Sequence, residues 1–473
     1  MEEMMNTQKF LRIGLLAAAV STLMFNMISF GGSEYGPGYP KTGSAALLGD
    51  VRESMLVPDY WTSGPEYKKV LLSREEIRHF NELNFLKSET CMEDLSASAE
   101  YFDGLKMREN CTAQATYKKL YLNGVPATEA YFENIRNNIL SSPASGSMPV
   151  RYGIAVNRTV MKSIPCDDFL SDAEDDSDWD ELTLSAILVG EPVTVYLTSG
   201  DGRHYLVHSE ICQGWVPAED IAVCRSKEEW LEACTHEHFL VVTGDSVTTE
   251  ESAANPGHSA RSYDMGTVLE LSEGAESIDN RMSWYSYIAY VPERDASGMY
   301  YRSKILIPMS RDVHIGYLPF TQENLIAQAF KCLGNRYGWG GMLNSQDCSA
   351  FVRELYLCFG MKLPRNTSWQ AMMPVKITDI SKETDAAKTE LLKETPPGAI
   401  LQFPGHEMLY LGCIDGKCYT INNVSSLCFP SDAGNVKYRG RSVIVNELGG
   451  TYRANGKTWL QSLSKIIVPW EKQ

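Results

Sequence analysis

The chain has 473 residues, 44% of them hydrophobic, which is ordinary for globular protein and enough for several cores. A net charge of −17 argues against nucleic acid or an anionic surface as the main partner. An acidic balance says little more, since many enzymes share it.

Residues 10–30 form a mostly apolar run that follows Lys9 and is interrupted by Arg12. Two readings apply. One is a secretory signal cut near Ser29, Phe30 and Gly31; the other is an uncleaved anchor. Ser21, Thr22, Asn26 and Ser29 weaken the apolar core and favour the cleaved signal. Either way the body is exported, to periplasm, envelope or medium, and membrane contact is confined to this segment if it is retained. Disulfides are then permitted among the twelve cysteines. No CxxC pair and no Cys/His zinc spacing occurs, so neither a metal nor another cofactor is expected. Cys413 and Cys418 flank Asp415 and Gly416 and face each other across any hairpin there. Spacing alone does not make them a disulfide.

Residues 32–46 are rich in Gly, Pro and Ser and read as a linker. Residues 47–145 look mostly helical, with a capping box from Ser73 to Glu76 and a second helix over 127–140. A further linker covers 141–148. From Val150 the texture changes to short β-like runs with regular turns, the pattern of a small barrel or sandwich. An acidic stretch, 172–181, lacks the glycine and spacing of a calcium loop and reads as a solvated loop. A short helix over 226–234 leads to a second β-rich unit of similar size. From Thr321 onward helices precede an antiparallel sheet, which defines an α+β domain.

That last region carries the chemistry. Tyr337, Gly338, Trp339, Gly340 and Gly341 lead into Asp347, Cys348 and Ser349. Phe351, Val352, Leu355, Tyr356 and Phe359 recur on one helical face, so Cys348 opens a helix that Asp347 caps and Gly360 ends. A thiol in a first helical turn faces unpaired N–H groups and the positive end of the dipole, which predicts a lowered pKa. Of eight histidines only His406 follows Cys348. It opens an apolar strand and is the candidate base. Asn422 and Asn423 lie on the hairpin partner and either one offers a carbonyl to orient the imidazole. With a strict two-residue turn, His406 pairs with Ser425 and Asn423 shares its face. A one-residue bulge at Gly416 brings Asn422 there instead.

The glycine run with Asp347-Cys348-Ser349, Leu363-Pro364-Arg365 with Gln370, the strand opening Pro404-Gly405-His406 and the run ending at Asn422 together resemble the bacterial NlpC family of cysteine peptidases. The two β units resemble the bacterial SH3-like barrels of one branch of that family, on Gly190-Glu191-Pro192-Val193, Gly214-Trp215-Val216-Pro217 and Leu240-Val241-Val242-Thr243-Gly244. The helical region resembles its N-terminal stabilising domain. The resemblance implies a multidomain α+β chain: a leader over 1–31, a stabilising domain over 32–147, barrels over 148–225 and 226–318, and a papain-like catalytic domain over 319–473. It implies hydrolysis of peptidoglycan stem peptides between γ-D-glutamate and a diamino acid, diaminopimelate or lysine. Cys348 would be nucleophile, His406 base and Asn422 the third member, where the family often has histidine. Asp347 would bind the amine of an N-terminal L-alanine, with Ser349 and Tyr337 lining the site. The first barrel of this branch usually carries an aromatic two residues before Gly214-Trp215; here that position is Cys212. Two alternatives are a wall-binding protein with an inactive catalytic domain, and the same domain working as an amidase or acyltransferase.

Overall fold

The computed structural model describes residues 47–431 and 434–472. The leader and the first linker therefore lie outside the described residues. Among the described residues no helix is long and apolar enough to cross a membrane.

The N-terminal part holds three helices of more than two turns: α1 (Arg74–Leu86), α2 (Gly104–Gln114) and α3 (Glu129–Leu140). Ser73 caps α1 in the expected box with Glu76. The rest is less helical than its composition suggests, with 3-10 turns and short strand pairs between the helices. The apolar side chains divide between two neighbours. Met55, Trp61, Ile77 and Phe80 join the core of the C-terminal domain, whereas Cys111, Phe132, Ile135 and Ile139 pack with Leu197, Leu206 and Trp215 of the first barrel.

That barrel has strands β1 (Arg151–Ala155), β2 (Thr159–Lys162), β3 (Thr183–Ile187), β4 (Pro192–Thr198), β5 (His204–His208), β6 (Gln213–Pro217) and β7 (Ile221–Val223). They are ordered β7-β1-β4-β5-β6-β2-β3. Helix α4 (Lys227–Cys234), capped by Ser226, connects it to a five-stranded sheet. The strands there are β8 (Phe239–Val242), β9 (Val268–Ser272), β10 (Ser286–Arg294), β11 (Tyr300–Pro308) and β12 (Val313–Ile315), ordered β11-β10-β9-β8-β12.

In the C-terminal domain α5 (Gln322–Lys331) and α6 (Cys348–Leu357) pack on a six-stranded antiparallel sheet. Its strands are β13 (Lys376–Asp379), β14 (Ile400–Phe403), β15 (His406–Ile414), β16 (Lys417–Val424), β17 (Ser442–Glu447) and β18 (Lys465–Val468), in the order β13-β18-β14-β15-β16-β17. Helix α7 (Asp385–Glu394) and Trp459 lie over the other face. The papain-like helix-on-sheet arrangement is thus present.

Two features tie the barrels to this domain. Gly340 and Gly341 have φ of +59° and +93° and pass against β3. A Cβ would meet Thr183 at the first and Ala186 at the second, so both the conformation and the close approach require glycine. Arg158, from the first barrel, donates to the carbonyls of Gly341 and Ser345 at 2.7 Å each and pairs with Asp264 of the second barrel at 2.9 Å.

The acidic stretch is not a free solvated loop. Asp178 pairs with Arg336 and Arg441, Asp176 pairs with Arg441 at 3.5 Å, and Trp179 stacks on Trp339 at 3.8 Å. Its charges have cationic partners on another domain, which a local reading of composition does not reveal.

Gly341→Ala is expected to cost about 1–3 kcal/mol, from the positive φ and from the overlap with Ala186. A thermal melt of the variant against the parent chain checks it; an unchanged midpoint contradicts the close approach.

Candidate functional site

Cys348 is the first residue of α6, and Asp347 is its N-cap, with Oδ1 accepting from the Ala350 N–H at 2.9 Å. Phe351, Val352, Leu355 and Tyr356 are buried in the core below, which fixes the helix and presents its N-terminus at the sheet edge. The backbone N–H of Glu407 lies close to Cys348 and favours its thiolate, which places the sulfur near the peptide that follows His406. The thiol is not lowered. Burial pushes it up to about 12, Asp347 and Glu407 add to this, and the Glu407 N–H and Arg365 oppose it. The expected effect of the helix terminus is thus outweighed by the loss of water around a buried sulfur and by two nearby carboxyls.

His406 opens β15 on the face away from α6, between the rings of Phe403 (5.4 Å) and Trp459 (5.1 Å). Its Nε2 lies 3.0 Å from Asn422 Oδ1. The Asn422 amide nitrogen donates to Asn446 Oδ1 at 2.8 Å, which fixes the amide with its carbonyl toward the imidazole. Nε2 therefore carries the proton, an assignment from the hydrogen-bond network, and Nδ1 is the basic nitrogen. Burial lowers His406 to about 4; the Asn422 bond opposes this and Arg453 adds to it. Thiol and imidazole are both neutral at rest.

The choice between Asn422 and Asn423 turns on register. The hairpin turn is the strict two-residue Asp415-Gly416, with Ile414 opposite Lys417 and Cys413 opposite Cys418. The sulfurs of that pair form a disulfide. Beyond it Leu411 is an extra residue: Gly412 faces Tyr419 while Tyr410 faces Thr420. The bulge, at Leu411 rather than Gly416, moves Asn422 onto the His406 face. Asn423 points the other way and donates to the Gln346 carbonyl at 2.8 Å.

Asp347 is buried and its carboxylate is fully engaged. Oδ1 accepts from Ala350 N–H, Ser349 Oγ (3.1 Å) and Arg365 Nη1 (3.2 Å); Oδ2 accepts from Gly340 N–H (3.1 Å) and Arg365 Nη2 (2.6 Å). Burial works to raise this carboxyl, but Arg365 and the other donors outweigh it and hold it below its usual value. Ser349 Oγ also accepts from Arg365 at 2.9 Å. Tyr337 is buried close to both Cys348 and Asp347, and burial first, then those two groups, raise its phenol.

Arg365 was visible in the sequence only as part of a Leu-Pro-Arg run. It is buried, its Nε donates to Ser185 of β3 at 2.8 Å, and nothing in local composition announces a partner eighteen residues away in Asp347. A cleft of about 640 Å³ opens over Cys348, lined by Ser349, Arg365, Trp339 and Gln402 and by Thr183, Leu184 and Cys212 of the first barrel. A second cleft of about 270 Å³ adjoins it at Phe403, Pro404 and Gly405 and is lined by His406. Among the described residues no group of three or more His, Cys, Asp or Glu is placed to hold a metal.

Removing the guanidinium by Arg365→Gln strands a buried carboxylate. The expected loss is about 3–5 kcal/mol, and adding Asp347→Asn should restore part of it. Denaturant titrations of the single and double variants provide the comparison.

Residues 334–430 match the NlpC/P60 family, and residues 169–217 match the SH3 domain of the SH3b1 type. No curated protein matches the chain. Among solved structures the chain is similar to a novel NlpC/P60 endopeptidase from Photobacterium damselae subsp. piscicida. The identity is 18%, the TM-score 0.71, and the match covers 88% of this chain and 97% of that one. An NlpC/P60 family protein from Bacillus cereus ATCC 10987 aligns at 18% identity with a TM-score of 0.44, over 67% of this chain and 98% of that one. The helix of Cys348, the strand of His406 and the glycine loop all fall within the matched segment, and the chain is accordingly a cysteine peptidase that carries an NlpC/P60 domain together with an SH3 domain of the SH3b1 type.

Proposed function

We propose that this peptidase is exported and hydrolyses the bond between γ-D-glutamate and the diamino acid of peptidoglycan stem peptides, on fragments with a free N-terminal L-alanine. The observation that carries this reading is that the first barrel supplies part of the wall of the Cys348 cleft. Thr183, Leu184 and Cys212 line it together with Cys348 and Ser349, and a wall supplied by a second domain suits a short peptide. The disulfide between Cys413 and Cys418 supports an oxidising compartment and hence export.

In this reading Cys348 Sγ attacks the scissile carbonyl while His406 Nδ1 takes the thiol proton. The oxyanion is held by the Cys348 N–H. The proton then passes from the imidazolium to the leaving amine, leaving a thioester on Cys348. A water, deprotonated by Nδ1, attacks the thioester; the carboxylic product leaves and the thiol is restored. Asn422 keeps the imidazole in the tautomer this needs. Starting from neutral partners, the proton transfer accompanies attack instead of preceding it.

The amine end is assigned to the part of the cleft lined by Ser349; Tyr337 is buried close to Cys348 and Asp347 and does not itself line the cleft. Asp347 acts there through Ser349, because five donors already fill its carboxylate. That neutralised carboxylate, together with Cys212 in place of an aromatic ring, favours a second reading in which the peptide's amine end is acylated, as in intact wall.

Mass spectrometry of products from the free tripeptide L-Ala-γ-D-Glu-diamino acid and from its N-acetyl derivative separates the two. Faster cleavage of the free peptide is expected; equal or faster cleavage of the acetylated one removes the amine from the proposal. Cys348→Ala should abolish both reactions, and residual cleavage would refute the nucleophile. The acid limb of kcat/KM should follow His406. Activity persists while the imidazole is neutral and falls only as pH drops through about 4. Arg453→Gln should move that limb to higher pH, since Arg453 opposes protonation of the ring.

A further inference from the structure

Glu407 has no part in the reaction just described, yet its backbone N–H lies close enough to Cys348 to favour the thiolate. Its side chain leaves β15 on the face opposite His406, the face that Leu409 shares with Phe351, Val352 and Leu355 of α6. It is fully buried. Its cross-strand partner on β14 is Gln402. Gln402 Nε2 donates to Glu407 Oε2 at 2.8 Å and to the Thr367 carbonyl at 3.0 Å, and Gln402 itself lines the Cys348 cleft. Glu407 Oε1 has no hydrogen-bond partner.

A buried carboxylate needs several donors or a cation, and Glu407 has neither in sufficient number. The titratable groups around it are Asp347, Cys348 and Tyr356 from α6 and Arg365 from the segment that follows. Arg365 is already committed to Asp347. Tyr356 donates its hydroxyl to the Gly398 carbonyl. β14 contributes the neutral amide of Gln402, and β18 places Lys465 opposite Gln402, where it too lines the cleft. Burial raises the Glu407 carboxyl to about 8, with Asp347 adding to this and Gln402, Thr367 and Arg365 opposing it. The group is therefore a neutral acid at neutral pH.

We propose that Glu407 is a positioning residue of the nucleophile: its protonated carboxyl holds Gln402 at the cleft wall and keeps the ground beneath Cys348 free of added negative charge, and its ionisation closes the alkaline side of the activity. This rests on Cys348 being the nucleophile. Attack moves the thiol proton to His406 and places negative charge on sulfur and then on the substrate oxygen. A carboxylate at Glu407 opposes both. The active form carries the proton, so activity is present below the Glu407 pKa and lost as pH rises through it, while the Cys348 thiol is still far from titrating.

The experiment uses the full chain with Glu407→Gln and with Glu407→Met, which keeps the length and removes the charge. Alkylation of Cys348 by iodoacetamide is located by peptide mass spectrometry across about pH 6 to about pH 10, beside kcat/KM over the same range. In the parent chain kcat/KM should fall above about pH 8. In the variants the fall should shift upward by at least one unit, an advantage of about tenfold near the upper end, and Cys348 should alkylate faster there. Superimposable alkylation and activity profiles in the parent and a folded variant overturn the proposal. A merely structural Glu407 would lower the yield of folded protein without moving either profile. Alkylation needs no substrate, so an error in the substrate assignment would silence hydrolysis and leave this measurement readable.

Discussion

The buried pair of Asp347 and Arg365 is the constraint on which the site depends. Two ions taken out of water cost several kcal/mol each unless geometry and further hydrogen bonds compensate. Here the compensation comes from three places at once. The glycine loop supplies Gly340 N–H, the first turn of α6 supplies Ala350 N–H and Ser349, and the first barrel supplies Ser185 to the guanidinium. The pair is satisfied only when all three are assembled, so orientation of the Cys348 helix is coupled to docking of a separate barrel. The coupling extends further through Arg158, which holds the same loop by two carbonyls and reaches Asp264 of the second barrel.

This explains why the chain carries so many domains around one cysteine. The barrels are walls and struts of the catalytic cleft. Thr183 and Ser185 of β3 serve both purposes, one lining the cleft and packing on Gly340, the other bonding Arg365. The stretch over 172–181 adds a third tie, since Trp179 lies flat on Trp339 at the cleft rim while Asp176 and Asp178 are held by arginines of the catalytic domain.

Sequence periodicity located the helix of Cys348, its Asp347 cap and the strand of His406, because each is set by contacts within a few residues. It was silent on what depends on long-range pairing. Arg365 finds Asp347, and the acidic stretch finds Arg336 and Arg441, only after the domains dock. The amide that faces His406 was legible as a pair of options, Asn422 or Asn423, because side-chain facing alternates and one bulge reverses it. The bulge fell at Leu411, beside Gly412 and inside an apolar run, rather than at the turn glycine Gly416. The thiol illustrates a different limit: helix position is readable from sequence, but burial, which opposes it, is not. Glu407 looked like an ordinary strand residue, and its isolation from cations emerges only from the packed site.

The bulge and the disulfide lie in one hairpin, two residues apart on β15. Cys413 and Cys418 are directly opposed, so their bond pins the strands at the turn and leaves Leu411 as the place where the extra residue is absorbed. A slip by one position would exchange Asn422 for Asn423 before the imidazole. The covalent bond thus works as an index mark. Together with the bulge, it marks the register in which Asn422, and not its adjacent, chemically identical neighbour Asn423, faces His406.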